Sequence, residues 1–297
     1  MLTALFVAAR IVANPVSNAF QKQLTQRSAS PLFIIGATHA LLTLVCLPWL
    51  LLGSRPLPLG PGFWPNILLC ASLAVAGNVL LVHALETSDL SVLGPINAYK
   101  SVIGLMLGVF LIGEVPTPMG AVGVLLILAG SYFVVDRDAG QPRRNAFARF
   151  FRERGIQFRF AALALSATEA IFLKKALLLS SPVTAFLFWS ILGFPIAAAA
   201  AALLLRGRLS NELVPLRRNW PTYVWLALAT GVMQLTTLLT FGKLQVGYSL
   251  ALFQLSTLIG LFLGYRYFQE GQIRRRLLGS VIMAGGAALI VLLGHGS

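Results

Sequence analysis

Ten stretches of eighteen to twenty-four mostly apolar residues set the terms on which this chain can fold. They lie near 2–24, 32–52, 66–86, 92–113, 118–135, 160–179, 182–205, 221–241, 247–268 and 277–294. A helix that crosses a bilayer needs about 20 mainly apolar residues. Inside lipid every backbone N–H and C=O must find a partner within the chain, so a series of such stretches folds as a helix bundle. Charged residues make up 11% of the 297, against about 25% in a soluble domain. Connections are short except at 136–159, which leaves no room for a soluble domain. The opening stretch lacks a basic start and a small-residue cleavage site, so it is read as a retained span and not as a secretory signal.

The formal net charge of +14 could suggest nucleic acid. Position argues for the membrane instead. The basic residues cluster in loops beside apolar spans, as cytoplasmic loops do, where they also meet anionic headgroups. Cys46 and Cys70 fall inside spans 2 and 3 and form no disulfide framework. His39, His83 and His295 are too scattered for a metal site. Walker and G-x-S-x-G motifs are absent, so neither an enzyme nor an ATP-driven pump is expected, and no cofactor is called for.

The chain repeats itself. IGLMLG (103–108) returns as IGLFLG (259–264), and LIGEVPTPMGAVGVLLILAG (111–130) lies without a gap over YFQEGQIRRRLLGSVIMAGG (267–286). Glu114 then matches Glu270, Gly123 matches Gly279 and Gly130 matches Gly286. With a slightly shorter offset Lys22 matches Lys174. Each copy holds five spans, and an odd number forces the second copy in upside down. The expected fold is an all-α polytopic membrane protein of about ten transmembrane helices in two inverted five-helix repeats, 1–136 and 160–297, joined by a basic loop at 137–159. Such proteins place their substrate near the midplane where the repeats meet. The pairs Gly104/Gly108 and Gly260/Gly264 suit close helix packing.

Two five-span halves, each ending in a GE or QE turn and a glycine-rich last helix (LILAGSYFVV, IMAGGAALIV), resemble the EamA-type transporters of the drug/metabolite transporter superfamily. ALETSDLSVLGPINAYKSVIGLMLGVFLIGE (84–114) carries the most typical part. The resemblance implies a ten-helix basket with alternating access, lined by helices 1, 3, 4, 6, 8 and 9, with hinges at the turns of Glu114 and Glu270. It also implies cytoplasmic termini. The charges imply the reverse: loops after odd-numbered spans hold seventeen Lys and Arg, loops after even-numbered spans four, with Arg10 and Lys100 inside spans. The bias places both termini outside the cytoplasm of a plasma or bacterial inner membrane.

Polar residues inside the spans mark the candidate site. Arg10, Asn14, Ser17, Asn18 and Gln21 recur at helical spacing on one face of span 1. Pro15 is expected to open that helix and free carbonyls. Glu169 sits in the middle of span 6, the repeat mate of span 1. A charge there costs about 2.5–3.5 kcal/mol to insert, so it faces protein or a water-filled cavity. It pairs with Arg10 to hold two helices, or binds cargo and a proton; the second reading is preferred. Lys100 either lines the cavity or snorkels to the interface. Asn78, Asn97, Gln234 and Gln254 complete the candidate substrate-binding set, with Glu169 as the candidate proton-coupling group. Trp189, Tyr223, Trp220 and Trp225 could stack on cargo, although Trp220 and Tyr223 fit interface anchors better. Lys174 and Lys175 are expected to snorkel outward, and Glu114 and Glu270 to cap the helices that follow them. The combined expectation is a secondary transporter, exporting a small polar metabolite that is a zwitterion or organic anion. Its partners are that solute and the bilayer, not nucleic acid, and a homodimer stays open. A flippase-like lipid carrier and a non-transporting scaffold are the alternatives.

Overall fold

The computed structural model describes residues 2–52, 59–100, 102–103, 117–134, 151–205, 209–244 and 246–293. Among them there are helices and turns and no strand. In chain order the helices are α1 (Leu2–Gln26), α2 (Pro31–Leu52), α3 (Phe63–Thr87), α4 (Leu90–Ile96), α5 (Pro118–Val134), α6 (Arg154–Leu178), α7 (Pro182–Leu204), α8 (Leu209–Phe241), α9 (Val246–Phe253), α10 (Ser256–Phe268) and α11 (Ile273–Leu293). Among the described residues six helices are long and apolar enough to cross a membrane. The chain is an all-α polytopic membrane protein. Large apolar side chains on the outer faces, such as Leu44, Val45, Leu125, Leu203 and Trp225, are exposed, as contact with lipid requires. Gly104, Gly108, Glu114, His295 and most of the basic loop lie outside the described residues.

Local sequence explains the ends and breaks. Ser181 accepts the Thr184 N–H at 3.1 Å with Pro182 in the first turn, and so starts α7. Asn219 leaves helical geometry inside α8 two residues before Pro221, and its amide donates to the Pro215 carbonyl at 2.9 Å. Pro15, by contrast, sits inside an unbroken α1; the expected opening there is not formed. It is buried, and its ring lies 3.7 Å from where a Cβ on Gly260 would stand, so α10 lies in van der Waals contact with it.

The dominant helix pairs are α5 with α11, α3 with α6, α1 with α8, α2 with α7 and α4 with α10. Exchanging the two halves of the sequence leaves this pattern unchanged. It maps α1–α8 onto α6–α3 and the other pairs onto themselves, α9 and α10 together matching the span that α4 begins. Contacts within the self-mapped pairs run in opposite directions. A Cβ on Gly130 would stand 2.8 Å from the Gly279 carbonyl, and one on Gly286 would stand 2.6 Å from the Gly123 carbonyl. These four are among the glycines the duplication aligns, and they meet reciprocally across antiparallel helices. In α2 and α7, Gly36 faces Ala197 while Thr43 bonds the Ser190 carbonyl. In α4 and its partner, Gly94 accepts from Thr257 while Asn97 meets Gln254.

Two helices are broken at corresponding places. α4 ends at Ile96, turns through Asn97 and Ala98, and becomes helical again at Tyr99. α9 ends at Phe253, turns through Gln254 and Leu255, and passes into α10. The two breaks touch: Asn97 Nδ2 donates to Gln254 Oε1 at 3.4 Å. Apolar clusters flank this point, one around Leu93, Ile96 and Ile127, another around Ile67, Trp189 and Phe241. The polar residues lie between them.

Candidate substrate-binding cavity

A cavity of about 130 Å³ opens between these clusters. From α1 it is lined by Arg10, Asn14, Ser17, Asn18 and Gln21, and from α3 by Gly77 and Asn78. Asn97 and Lys100 reach it from the broken span, and Gln254 and Ser256 from the opposite break. Thr230, Gln234 and Thr237 line it from α8, and Trp189 from α7. From α6 come Arg159, Ser166 and Glu169. All nine residues singled out from the sequence, Arg10, Asn14, Asn18, Asn78, Asn97, Lys100, Glu169, Gln234 and Gln254, therefore border one space.

The bonds inside it are selective. Arg10 Nε donates to Thr237 Oγ1 at 2.7 Å and its guanidinium lies over the Phe253 ring, 4.8 Å from the centroid. Its Nη1 is buried with no hydrogen-bond partner, as are Gln21 Oε1 and Gln234 Nε2. Ser17 bonds Thr230 at 2.9 Å and Asn78 turns back to the Ala74 carbonyl at 2.8 Å. Among the described residues neither Lys100 nor Glu169 makes a salt bridge; the Glu169 carboxylate meets the Trp189 side chain. The expected alternative of a direct Arg10–Glu169 pair is thus not formed. Buried donors and acceptors without partners cost about 1–3 kcal/mol each, and three of them around one polar space are what a site for a hydrogen-bonding solute looks like.

Arg159 is the residue that sequence reading missed. The helix expected to begin near 160 begins at Arg154, which brings Arg159 out of the basic loop and into the bundle. It is 7% exposed; Nε donates to the Leu93 carbonyl and Nη2 to Asn97 Oδ1, both at 3.2 Å. The Leu93 carbonyl is available because the turn at Asn97 ends α4 there. The signal was present in the spacing: Arg159, Ala162, Ser166, Glu169 and Leu173 follow a helical period, and all five line the cavity.

Beside the cavity, toward the end of α1, a second polar cluster joins four segments. Lys22 Nζ donates to Glu270 Oε1 at 2.8 Å and to the Ser88 carbonyl at 3.1 Å. The Glu270 carboxylate also accepts the backbone N–H groups of Leu90 and Ser91, both at 2.8 Å. It therefore caps α4, not the helix that follows it as expected. Arg276 Nη1 and Nη2 both donate to Asp89 Oδ2 at 3.0 Å, and Arg276 Nη1 also bonds Ser91 Oγ. Ser88 Oγ donates to Glu153 at 2.5 Å, tying in the start of α6. Burial would raise the Glu270 carboxyl, but hydrogen bonds from Lys22 and Ser91 outweigh it and hold it below its ordinary 4.5.

Other expectations resolve separately. Lys174 bonds the Phe241 carbonyl instead of snorkelling, while Lys175 lies exposed with its ammonium 5.4 Å from the Phe172 centroid. Trp220 and Trp225 are exposed and away from the cavity; Tyr223 is buried against Phe33. His39 packs against Trp189 with the rings tilted by 53° and bonds the Ser190 carbonyl. Cys46 and Cys70 are free and buried. No group of three or more potential metal ligands occurs among the described residues.

The profile of the EamA-like transporter family matches residues 2–136. This EamA-like half supplies Arg10, Asn14, Asn18, Asn78, Asn97 and Lys100 to the cavity. The other half supplies Arg159, Glu169, Gln234 and Gln254. One solved structure, described only as the crystal structure of a protein, is similar at a TM-score of 0.51 and 16% identity, over 96% of this chain and 97% of that one. At that identity it speaks for the fold alone. Among curated proteins nothing matches the chain. The match to an EamA-like transporter family over the first half, the all-helical fold and the apolar outer faces indicate an integral membrane protein.

Proposed function

We propose that the chain is a secondary transporter that carries a small polar metabolite across the membrane by alternating access, with the two halves as inverted repeats. The observation that carries the reading is the contact between the two broken helices at Asn97 and Gln254, inside a polar cavity between the halves. Broken helices facing each other at a repeat interface are the common form of a transporter site, because they release backbone groups at membrane depth only where protein or cavity can satisfy them. The Lys22–Glu270–Arg276–Asp89 cluster is the gate that closes the basic, cytoplasmic face, and cargo leaves on the other side. Moving Lys22 and Arg159 from the loops into the bundle leaves the charge bias in the same direction, so the termini are assigned outside the cytoplasm. The small cavity disfavours a lipid carrier, and its unpartnered polar groups disfavour a scaffold.

Glu169 is the proton-coupling group in this proposal. Lys100 and Arg10 face the same cavity, so an anion that engages them leaves Glu169 short of positive charge and favours its protonation; each ligand then changes the other's affinity. The test is transport by purified protein in liposomes. A thermal-shift panel finds the cargo, which stabilises by mass action. Glu169→Gln is then expected to abolish accumulation driven by a pH gradient while cargo-for-cargo exchange persists at a reduced rate. A stable variant that still accumulates cargo along a pH gradient would remove Glu169 from the mechanism, and a panel with no stabilising solute and no exchange would favour the scaffold.

A further inference from the structure

The cavity is charged unevenly. Among the described residues its ionisable lining groups are Arg10, Lys100, Arg159 and Glu169, three cations against one carboxylate. Both arginines bond only neutral partners: Arg10 a threonine hydroxyl, Arg159 a backbone carbonyl and an asparagine. A buried guanidinium without an anion is costly, because desolvation is not repaid by a counter-charge. The two are also at different depths. Lys22 and Glu153 both bond Ser88 and so mark one level near the basic face. At 1.5 Å per helical residue, Arg159 lies about 9 Å and Arg10 about 18 Å beyond that level along their helices.

Resting on the transport reading above, we propose that the cargo is a small organic dicarboxylate, held with one acid group on Arg159 and the other toward Arg10 and Lys100. A planar guanidinium offers a carboxylate two parallel donors, and each arginine retains nitrogen donors that its protein bonds do not use. Two separated forks match two acid groups on one molecule better than the clustered oxygens of one phosphate. The lining carries two net positive charges with Glu169 ionised and three with it protonated, so a dianion offsets it better than a zwitterion, which brings no net charge. The small volume limits the carbon chain to a few atoms between the carboxylates. Arg159 becomes a cargo-contacting residue in addition to a prop for the break in α4.

Exchange in proteoliposomes against succinate, glutarate, butyrate, alanine and glycerol phosphate tests this. The expected result is exchange of succinate or glutarate at a KM at least tenfold below that of butyrate, with alanine and glycerol phosphate poor. In Arg159→Gln the preference for dicarboxylate over monocarboxylate should fall at least tenfold, and Arg159→Lys should recover it only in part. A purely structural Arg159 would lower thermal stability without changing that ratio, and an unchanged ratio in folded Arg159→Gln would overturn the assignment. If Arg159→Gln does not fold, the wild-type preference alone decides. Exchange of alanine or glycerol phosphate in preference to both dicarboxylates overturns the inference while leaving transport intact. No exchange of any solute overturns both.

Discussion

At the scale of single residues, the proposed site predicts that some groups are not replaced by others of the same charge. Arg10 spends Nε on Thr237 and keeps Nη1 unpartnered in the cavity. Arg10→Lys keeps the charge and loses the fork, so cargo affinity should drop at least about tenfold, about 1.4 kcal/mol, in a protein that still inserts. Equal affinity by calorimetry or thermal shift would argue against a bidentate contact. Glu270 is bound by Lys22 and two backbone N–H groups and lies near Arg276, which Asp89 neutralises from the other side. Glu270→Gln leaves Lys22 buried without its anion and should cost about 3 kcal/mol. The carboxyl is held below its ordinary 4.5 in the folded chain. Its contribution is therefore complete above that value and is lost as pH falls through the lower, folded one. Melting of wild type from pH 7 down to 3 should show this acid loss, and Glu270→Gln should show less of it. Parallel curves for the two proteins would place the acid sensitivity elsewhere.

At the scale of helices, hydropathy made the long spans legible because lipid imposes one composition on every such segment. The polar face of α1 was legible for the same reason: five polar side chains on one face of an apolar helix have few places to go. The breaks at Asn97 and Gln254 were not legible. Pro95 stands two residues before the first, but Pro15 stands inside α1 in the same way and the helix there runs on. Whether a proline breaks a helix depends on what packs beside it, and no local sequence states that. Arg159 was hidden among arginines whose loop has the same composition as the first turn of α6. The cap formed by Glu270 crosses from one half of the chain to the other, so its local position before α11 misled. Where the duplication aligned glycines, it indicated contact. Gly286→Ala puts a Cβ 2.6 Å from the Gly123 carbonyl, too close for backbone to accept unmoved. It should push α5 and α11 apart at a cost of about 1–3 kcal/mol in thermal or denaturant unfolding. Gly285→Ala, with nothing within 4 Å, should cost far less; equal costs would show that the close approach of the two helices is not what the glycine serves.

At the scale of the molecule, the EamA-like half and its partner meet in antiparallel pairs around a polar cavity, with an ion-paired cluster on the basic face. If that cluster is one gate, the same cavity must become reachable from each side of the membrane in turn. Asn18 lines the cavity and is half-buried, and the native cysteines are buried, free and removable. The most direct measurement is therefore the labelling of Asn18→Cys, in a background of Cys46→Ala and Cys70→Ala, by a membrane-impermeant thiol reagent added to right-side-out and inverted vesicles. Alternating access predicts labelling from both faces, with cargo raising the rate on one face and lowering it on the other. Labelling from a single face, unchanged by any solute the protein exchanges, would contradict the account.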